Sequence, residues 1–174
     1  IAVNIDTESF HKEELATQLV RYIEEEGASP RDIELEVVEG SMAPGVHTAD
    51  LWDELVAAGF TLSIDDFGTG ESSLSRLKLL PVETLKVDQS FVRDIESNDD
   101  DCTIILAIIA MGKSLGLNVL AEGVENQEQL NFLYKLRCDS VQGYYFSKPQ
   151  PATVISELLK SNDFSDRTRI LLES

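Results

Sequence analysis

The chain has 174 residues, 43% of them apolar, with 32 acidic and 14 basic side chains and a formal charge of −18. That length and apolar fraction fit one domain with a real core and exclude a disordered chain. The charge excludes a protein that grips DNA or RNA through its phosphates, because that requires a basic face. An acidic chain that binds a phosphate ligand needs something positive in between, and a divalent cation is the obvious candidate. Two cysteines, Cys102 and Cys138, are too few for a disulfide scaffold and read as intracellular thiols. The longest apolar run, 104–111, is far short of the ~20 residues of a membrane helix, and no basic segment leads into an apolar one. A cytoplasmic location is therefore expected, with membrane tethering left to other segments of a longer parent. The first residue is Ile1, not Met, which points to an excised piece.

Residues 1–5 read as a strand. Over 11–26, Leu15, Leu19, Tyr22 and Ile23 share a helical face, and Gly27 is a natural stop. A strand is predicted at 33–38, then a helix at 48–58 with Leu51, Leu55 and Val56 inward and Gly59 at its end. A strand at 60–64 precedes a short helix at 72–79 that stops before Pro81. The strand at 84–87 leads to a helix capped by Asp101 and ended by Gly116. A strand at 117–121 is followed by a helix capped by Asn126, a strand at 140–145 and a last helix entered at Pro151. The domain is expected to occupy 1–160, leaving 161–174 as a tail or an extra helix.

Six βα units in a row imply parallel strands covered by helices. An open doubly wound sheet and a (β/α)8 barrel compete, and no G-x-G-x-x-G follows a strand to favour a dinucleotide fold. Polar or charged residues stand at or near successive strand ends: Asn4, Glu36, Asp65 with Asp66, Lys86, Glu122 and Gln142. Strands buried on both faces should read as unbroken apolar runs, so such interruptions are costly unless they converge. A barrel gathers its strand ends in one ring, which favours an α/β, TIM-like barrel present here as about six of its eight units. A full barrel takes about 250 residues, so the missing strands would precede Ile1.

That ring would hold four carboxylates, two amides and one cation, Lys86. Gathered like charges are unfavourable, and hard divalent cations with oxygen ligands relieve them. Adjacent Asp65 and Asp66 could serve two ions about 4 Å apart, a recurring device for phosphate-ester hydrolysis. His11 and His47 lie at no strand end, which argues against zinc, and Ser63 and Ser90 have no histidine nearby for a triad. Each residue also has a plainer reading. Asn4 suits a loop-bonding amide, Asp65 to Gly70 a strand-to-loop turn, Lys86 a partner for Asp88, and Glu122 a turn acid before Gly123. Glu34 and Glu39 read as surface or supporting groups.

The segments Val3-Asn4-Ile5, Glu36-Val37-Val38-Glu39, Ile64-Asp65-Asp66-Phe67-Gly68-Thr69-Gly70, Leu85-Lys86-Val87-Asp88, Ala121-Glu122-Gly123-Val124-Glu125 and Val141-Gln142-Gly143-Tyr144-Tyr145-Phe146 closely resemble the EAL domain. That family comprises bacterial cyclic di-GMP phosphodiesterases and their degenerate relatives. The resemblance implies a TIM-like barrel that hydrolyses cyclic di-GMP to linear pGpG with Mg²⁺ or Mn²⁺, Ca²⁺ binding without supporting catalysis. By motif match it implies Asn4, Glu36 and Asp65 on one metal, and Asp65, Asp66 and Glu122 on or beside a second. Lys86 would position or help activate water, as part of a catalytic set with Glu122 and Asp66, and Gln142 and Lys86 would contact substrate. Asp66 to Ser73, with Phe67, Gly68, Thr69 and Gly70 among them, would form a mobile loop that couples substrate and metal binding to dimer contacts, anchored by Glu39, with Asp88 and Glu125 in support. A homodimer and an upstream sensory or GGDEF-like domain are implied as partners.

The family's name-giving Glu-Ala-Leu segment, which carries a metal ligand, is absent from these residues. Relative to the family, Glu71 stands where an aromatic is frequent, Val38 where threonine is common, and Arg137 where glycine is frequent. The expected function is a phosphodiesterase in the parent protein, with little or no activity in the isolated 174 residues. The alternative is a degenerate domain that binds cyclic di-GMP as a receptor or mediates protein contacts. The retained ring carboxylates favour the enzyme.

Overall fold

The computed structural model describes residues 1–10, 12, 14–42, 48–70, 74–95 and 99–161. The chain runs β1 (Ala2–Ile5), α1 (Thr7–Phe10), α2 (Leu15–Glu25), β2 (Glu34–Val38), α3 (Thr48–Ala58), β3 (Thr61–Phe67) and α4 (Leu74–Leu77). It continues through β4 (Thr84–Val87), α5 (Gln89–Arg93), α6 (Asp99–Ser114), β5 (Asn118–Ala121), α7 (Gln127–Lys135), β6 (Ser140–Val141) and α8 (Ala152–Ser161). All strand pairs are parallel and neighbours in sequence are neighbours in the sheet, in the order β1-β2-β3-β4-β5-β6. This is an α/β, TIM-barrel-like arrangement whose sheet is not closed. Among the described residues β1 pairs only with β2, and β6 only with β5.

The period-2 alternation of a strand explains how one sheet carries both a core and a polar face. Leu35 and Val37, Leu62 and Ile64, Leu85 and Val87, and Val119 and Ala121 form one set, all essentially inaccessible. They belong to the same apolar cluster as Phe10, Trp52, Leu55, Ile105, Ile109, Leu130 and Leu133 from the helices. Phe10 and Trp52 meet with ring centroids 4.9 Å apart. The alternate positions, Asn4, Glu36, Ser63, Asp65, Thr84 and Lys86, occupy the other face. At the open margins, Ile1 and Val3 are exposed beside β1. A groove of about 580 Å³ runs along β6, lined by Leu120, Leu130, Tyr134 and Phe146 among others. Helix α8 buries none of its residues. No helix among the described residues is long and apolar enough to cross a membrane.

Several boundaries differ from those predicted. α2 begins at Leu15, behind Glu14 in a left-handed conformation (φ 65°), rather than at 11. α6 begins at Asp99, so Asp101 lies inside its first turn rather than at its cap. β3 runs on to Phe67 through an irregular register between Ile64 and Phe67. β6 stops at Val141 and a turn follows, with Phe146 N donating to Gly143 O at 3.2 Å and Gly143 packed against the backbone of Val124 with no room for a Cβ. The helix predicted at 72–79 is Leu74–Leu77 where described; Glu71, Ser72 and Ser73 lie outside the described residues, as do His11, His47 and the tail from 162. Asn126 does cap α7, in a reciprocal capping box with Gln129.

Arg137 closes α7 in the left-handed region (φ 58°), with its N–H on Tyr134 O at 2.9 Å and Cys138 N–H on Leu133 O at 3.0 Å. These are the bonds of a helix end that favours glycine. A Cβ in this conformation is costly, so Arg137→Gly is expected to raise stability by about 0.5–1 kcal/mol. Urea unfolding of the two chains measures this; equal midpoints would show that the neighbouring contacts of Arg137 offset the strain.

Candidate metal centre

Four strands deliver the ring. Asn4 pairs in register with Glu36, Val38 with Asp65, and Lys86 with Leu120, two residues before Glu122. At the centre is the Lys86 ammonium, its residue only 3% exposed. It donates to Glu36 Oε1 at 2.7 Å, Glu122 Oε1 at 2.8 Å and Asp65 Oδ1 at 2.9 Å. Three donors and three carboxylates match one to one. Lys86 therefore serves the ring and not Asp88, the partner suggested by strand periodicity. Asp88 instead caps α5, accepting from Ser90 N at 3.0 Å.

Alternation alone would send adjacent Asp65 and Asp66 to opposite faces of β3. The irregular register at this point, with Asp66 at φ 54°, undoes that alternation. As a result Asp65, Asp66 and Glu122 each offer a carboxylate oxygen within 4.8 Å of the others. The Asn4 amide end lies 3.1 Å from Asp65 Oδ2 and 3.3 Å from Glu36 Oε2. With its nitrogen turned toward them both contacts are hydrogen bonds; with its oxygen there, three acceptors converge with no proton between them. The second orientation needs a proton or a cation between the oxygens. The donor set is all oxygen, suited to Mg²⁺, Mn²⁺ or Ca²⁺ and unsuited to zinc.

The electrostatics follow from this crowding. Burial alone would lower the Lys86 pKa, but the bonds to Glu122, Glu36 and Asp65 outweigh it and hold the amine above the ordinary lysine value. Burial raises the Glu122 carboxyl, with the charges of Asp65 and Glu36 adding to it and Lys86 opposing. Burial also raises Asp66, followed by the charge of Asp65 and its hydrogen bond with Asp88. Asp88 is lowered although burial pushes it up, because the hydroxyl and N–H of Ser90 and the Asp66 contact prevail.

Beyond the ring, Glu39 Oε2 accepts from Gly68 N at 2.9 Å and Gly70 N at 3.1 Å, tying the loop after β3 to the end of β2. Within that loop Thr69 Oγ1 donates to Asp66 O at 2.8 Å, and the Phe67 side chain is buried in the core. Gly68 sits at φ 101° against the Phe91 ring, which leaves no room for a Cβ. Gln142 lies on the groove beyond β6 with its side chain exposed, its backbone joined to Ala121 O and Val124 N. Glu125 is exposed. One supporting residue escaped the sequence reading: Gln129, 3% exposed, whose side chain bonds three backbone groups. Its signal was the Asn126-x-x-Gln129 capping-box spacing.

A barrel-like parallel sheet gathers these carboxylates around a lysine at its strand ends, the face on which barrel proteins carry their sites. Residues 1–149 match the model of the EAL domain family. Cyclic di-GMP phosphodiesterase NbdA of Pseudomonas aeruginosa is 42% identical over 165 residues, 94% of this chain and 21% of that protein. Among solved structures, the PaMucR phosphodiesterase in complex with c-di-GMP is 37% identical with a TM-score of 0.85, over 89% of this chain and 63% of that one. The calcium and cyclic di-GMP complex of Klebsiella pneumoniae BlrP1 is 31% identical with a TM-score of 0.77, over 85% and 38%. The chain belongs to the EAL domain family. It spans about a fifth of the length of curated relatives such as NbdA.

Removing the central charge tests the electrostatics. In the presence of a chelator, Lys86→Met is expected to destabilise the fold by about 3 kcal/mol at pH 7, because three carboxylates are left facing one another. Their mutual repulsion raises the folded-state carboxyl pKa values, so the deficit should shrink as pH falls through that range. In the parent chain the lysine's contribution is complete below its unfolded value of 10.5 and is lost only as pH rises through the higher folded value. Denaturant titrations between pH 4 and pH 8 read the difference; a pH-independent deficit would contradict this account.

Proposed function

We propose that the parent protein hydrolyses cyclic di-GMP to linear pGpG and that this chain supplies most of its metal site. The observation that carries the reading is the convergence of Asn4, Glu36, Asp65, Asp66 and Glu122 around Lys86. Asn4, Glu36 and Asp65 would hold one divalent ion, Mg²⁺ or Mn²⁺, and Asp65, Asp66 and Glu122 a second, with Ca²⁺ binding but not turning over. When bound, such ions supply a water that deprotonates near neutral pH and neutralise phosphate charge.

The chain's own residues do the remainder. Lys86, its amine held above the ordinary lysine value by its three carboxylate partners, would position or help activate a water and offset the anionic transition state. Glu122, with its raised pKa, sits on the Lys86 ammonium and keeps that donor aimed. Glu39 holds the loop from Phe67 to Gly70 over the ring, and Asp88 steadies Asp66. Gln142 and Lys86 would meet the substrate. We place the domain at 1–160, in the cytoplasm, working as a homodimer under an upstream sensory or GGDEF-like domain. The isolated 174 residues are expected to have little or no activity, since the open sheet lacks the strands that would close the ring.

Two measurements bear on this. Mn²⁺-dependent pGpG release should be at least about a hundredfold slower in Asp65→Asn of the full-length protein than in its parent, since a ligand matters at least as much as the groups supporting it. Unchanged turnover would refute the site. The isolated chain should release pGpG far more slowly than the full-length protein; equal rates would show that the open ring suffices. If the full-length protein instead binds cyclic di-GMP with Ca²⁺ in calorimetry yet never hydrolyses it with Mn²⁺, the receptor reading replaces the enzyme.

A further inference from the structure

Glu122 stands outside the ladder of β5, at the start of the loop 122–126 that leads into α7. A carboxylate on a loop keeps its place only if the loop is held, and here it is held on three sides. Glu122 N donates to Val87 O at 3.1 Å, toward β4. Val124 N donates to Gln142 O and Tyr145 N donates to Val124 O, each at 3.0 Å, toward the turn after β6. The third side is Gln129. Its Oε1 accepts from Glu125 N at 2.7 Å and from Asn126 N at 3.2 Å, while its Nε2 donates to Arg93 O at 3.3 Å.

The last of these bonds exceeds what a capping box requires. A capping box joins N3 to the N-cap within one helix. Gln129 also reaches the last residue of α5, the helix that follows Lys86 by way of Asp88, whose carboxyl meets Asp66. Gly123 (φ 73°) lies so tightly against Gln89 of the same helix that no Cβ fits between them. One buried amide therefore fastens the Glu122 loop to the helix capped by Asp88, whose carboxyl in turn meets Asp66 of β3.

We propose that Gln129 is a positioning residue for the metal site, setting Glu122 against Lys86 and Asp65 by locking the 122–126 loop to α5. The proposal rests on the metal reading of the ring. It assigns Gln129 no contact with metal or substrate; it acts through Glu122.

The test uses the full-length protein with Gln129→Leu, Gln129→Glu and Asn126→Ala. Asn126→Ala removes the bond from Gln129 N to Asn126 Oδ1 (2.8 Å) and weakens the start of α7 while leaving the Gln129 side chain in place. Gln129→Leu is expected to speed amide exchange at Glu125 and Asn126 about tenfold or more. It should weaken Mn²⁺ binding in calorimetry by about 10–100-fold. At limiting Mn²⁺ it should lower kcat with little change in KM for cyclic di-GMP. Gln129→Glu keeps both accepted bonds but has no N–H for Arg93 O, so it should retain the exchange protection at Glu125 and Asn126 yet recover little of the affinity. Asn126→Ala should lower Tm yet leave Mn²⁺ affinity within about twofold. The proposal fails if Gln129→Leu binds Mn²⁺ like the parent, or if Asn126→Ala weakens binding equally, which would mark Gln129 as a helix cap only. A parent chain that takes up no Mn²⁺ overturns the metal reading and the functional half of the proposal with it; the exchange rates still decide whether the latch exists.

Discussion

Taking an ammonium group out of water is unfavourable by several kcal/mol unless its hydrogens and its charge are all met. Lys86 is met three times over, by Glu36, Asp65 and Glu122 at 2.7 to 2.9 Å. The same contacts answer the complementary problem, since those carboxylates could not stand together without a cation among them. Neither the lysine nor the acids could be buried alone. The polar face of the sheet, the order of the strands and the loops after β3 and β5 are all arranged so that this cluster forms.

The cluster also explains why the mouth suits metals. A net negative ring remains after Lys86 is counted, with Asp66 and the outer oxygens of Glu36 and Asp65 unmatched by the ammonium. Asn4 adds an amide that can turn either nitrogen or oxygen inward. Lys86 offsets part of the charge of such a ring, and divalent ions would offset more. The acidic bulk of the chain would repel a phosphate ligand without them.

Support comes from backbone donors more than from side-chain pairs. Glu39 gathers two loop amides after β3, and Gln129 gathers two after β5. Glycines make these close approaches possible: Gly68, Gly123 and Gly143 each face atoms that would collide with a side chain. A single side-chain oxygen serving two N–H groups is a compact way of fixing a loop whose own peptide groups lack a ladder.

Alternating apolar strands and periodic helices made the βα order legible in the sequence, because burial on both faces leaves a strong pattern. The polar residues at the strand ends stood out for the same reason, each breaking a run that should have been apolar. Boundaries such as the short β6 and the left-handed start before α2 were not legible, since each depends on a close approach or a backbone conformation that residue type does not dictate. The partner of Lys86 was read ambiguously for a related cause: strand periodicity puts Asp88 nearby, whereas parallel neighbours bring acids from β2, from β3 and from the loop after β5. Most telling is Asp65-Asp66. Periodicity divides this pair between two faces, and only the irregular register and positive φ at Asp66 bring both to the ring. Composition and pattern determined which residues had to converge; the geometry of adjacent strands, which no local sequence encodes, decided how they meet.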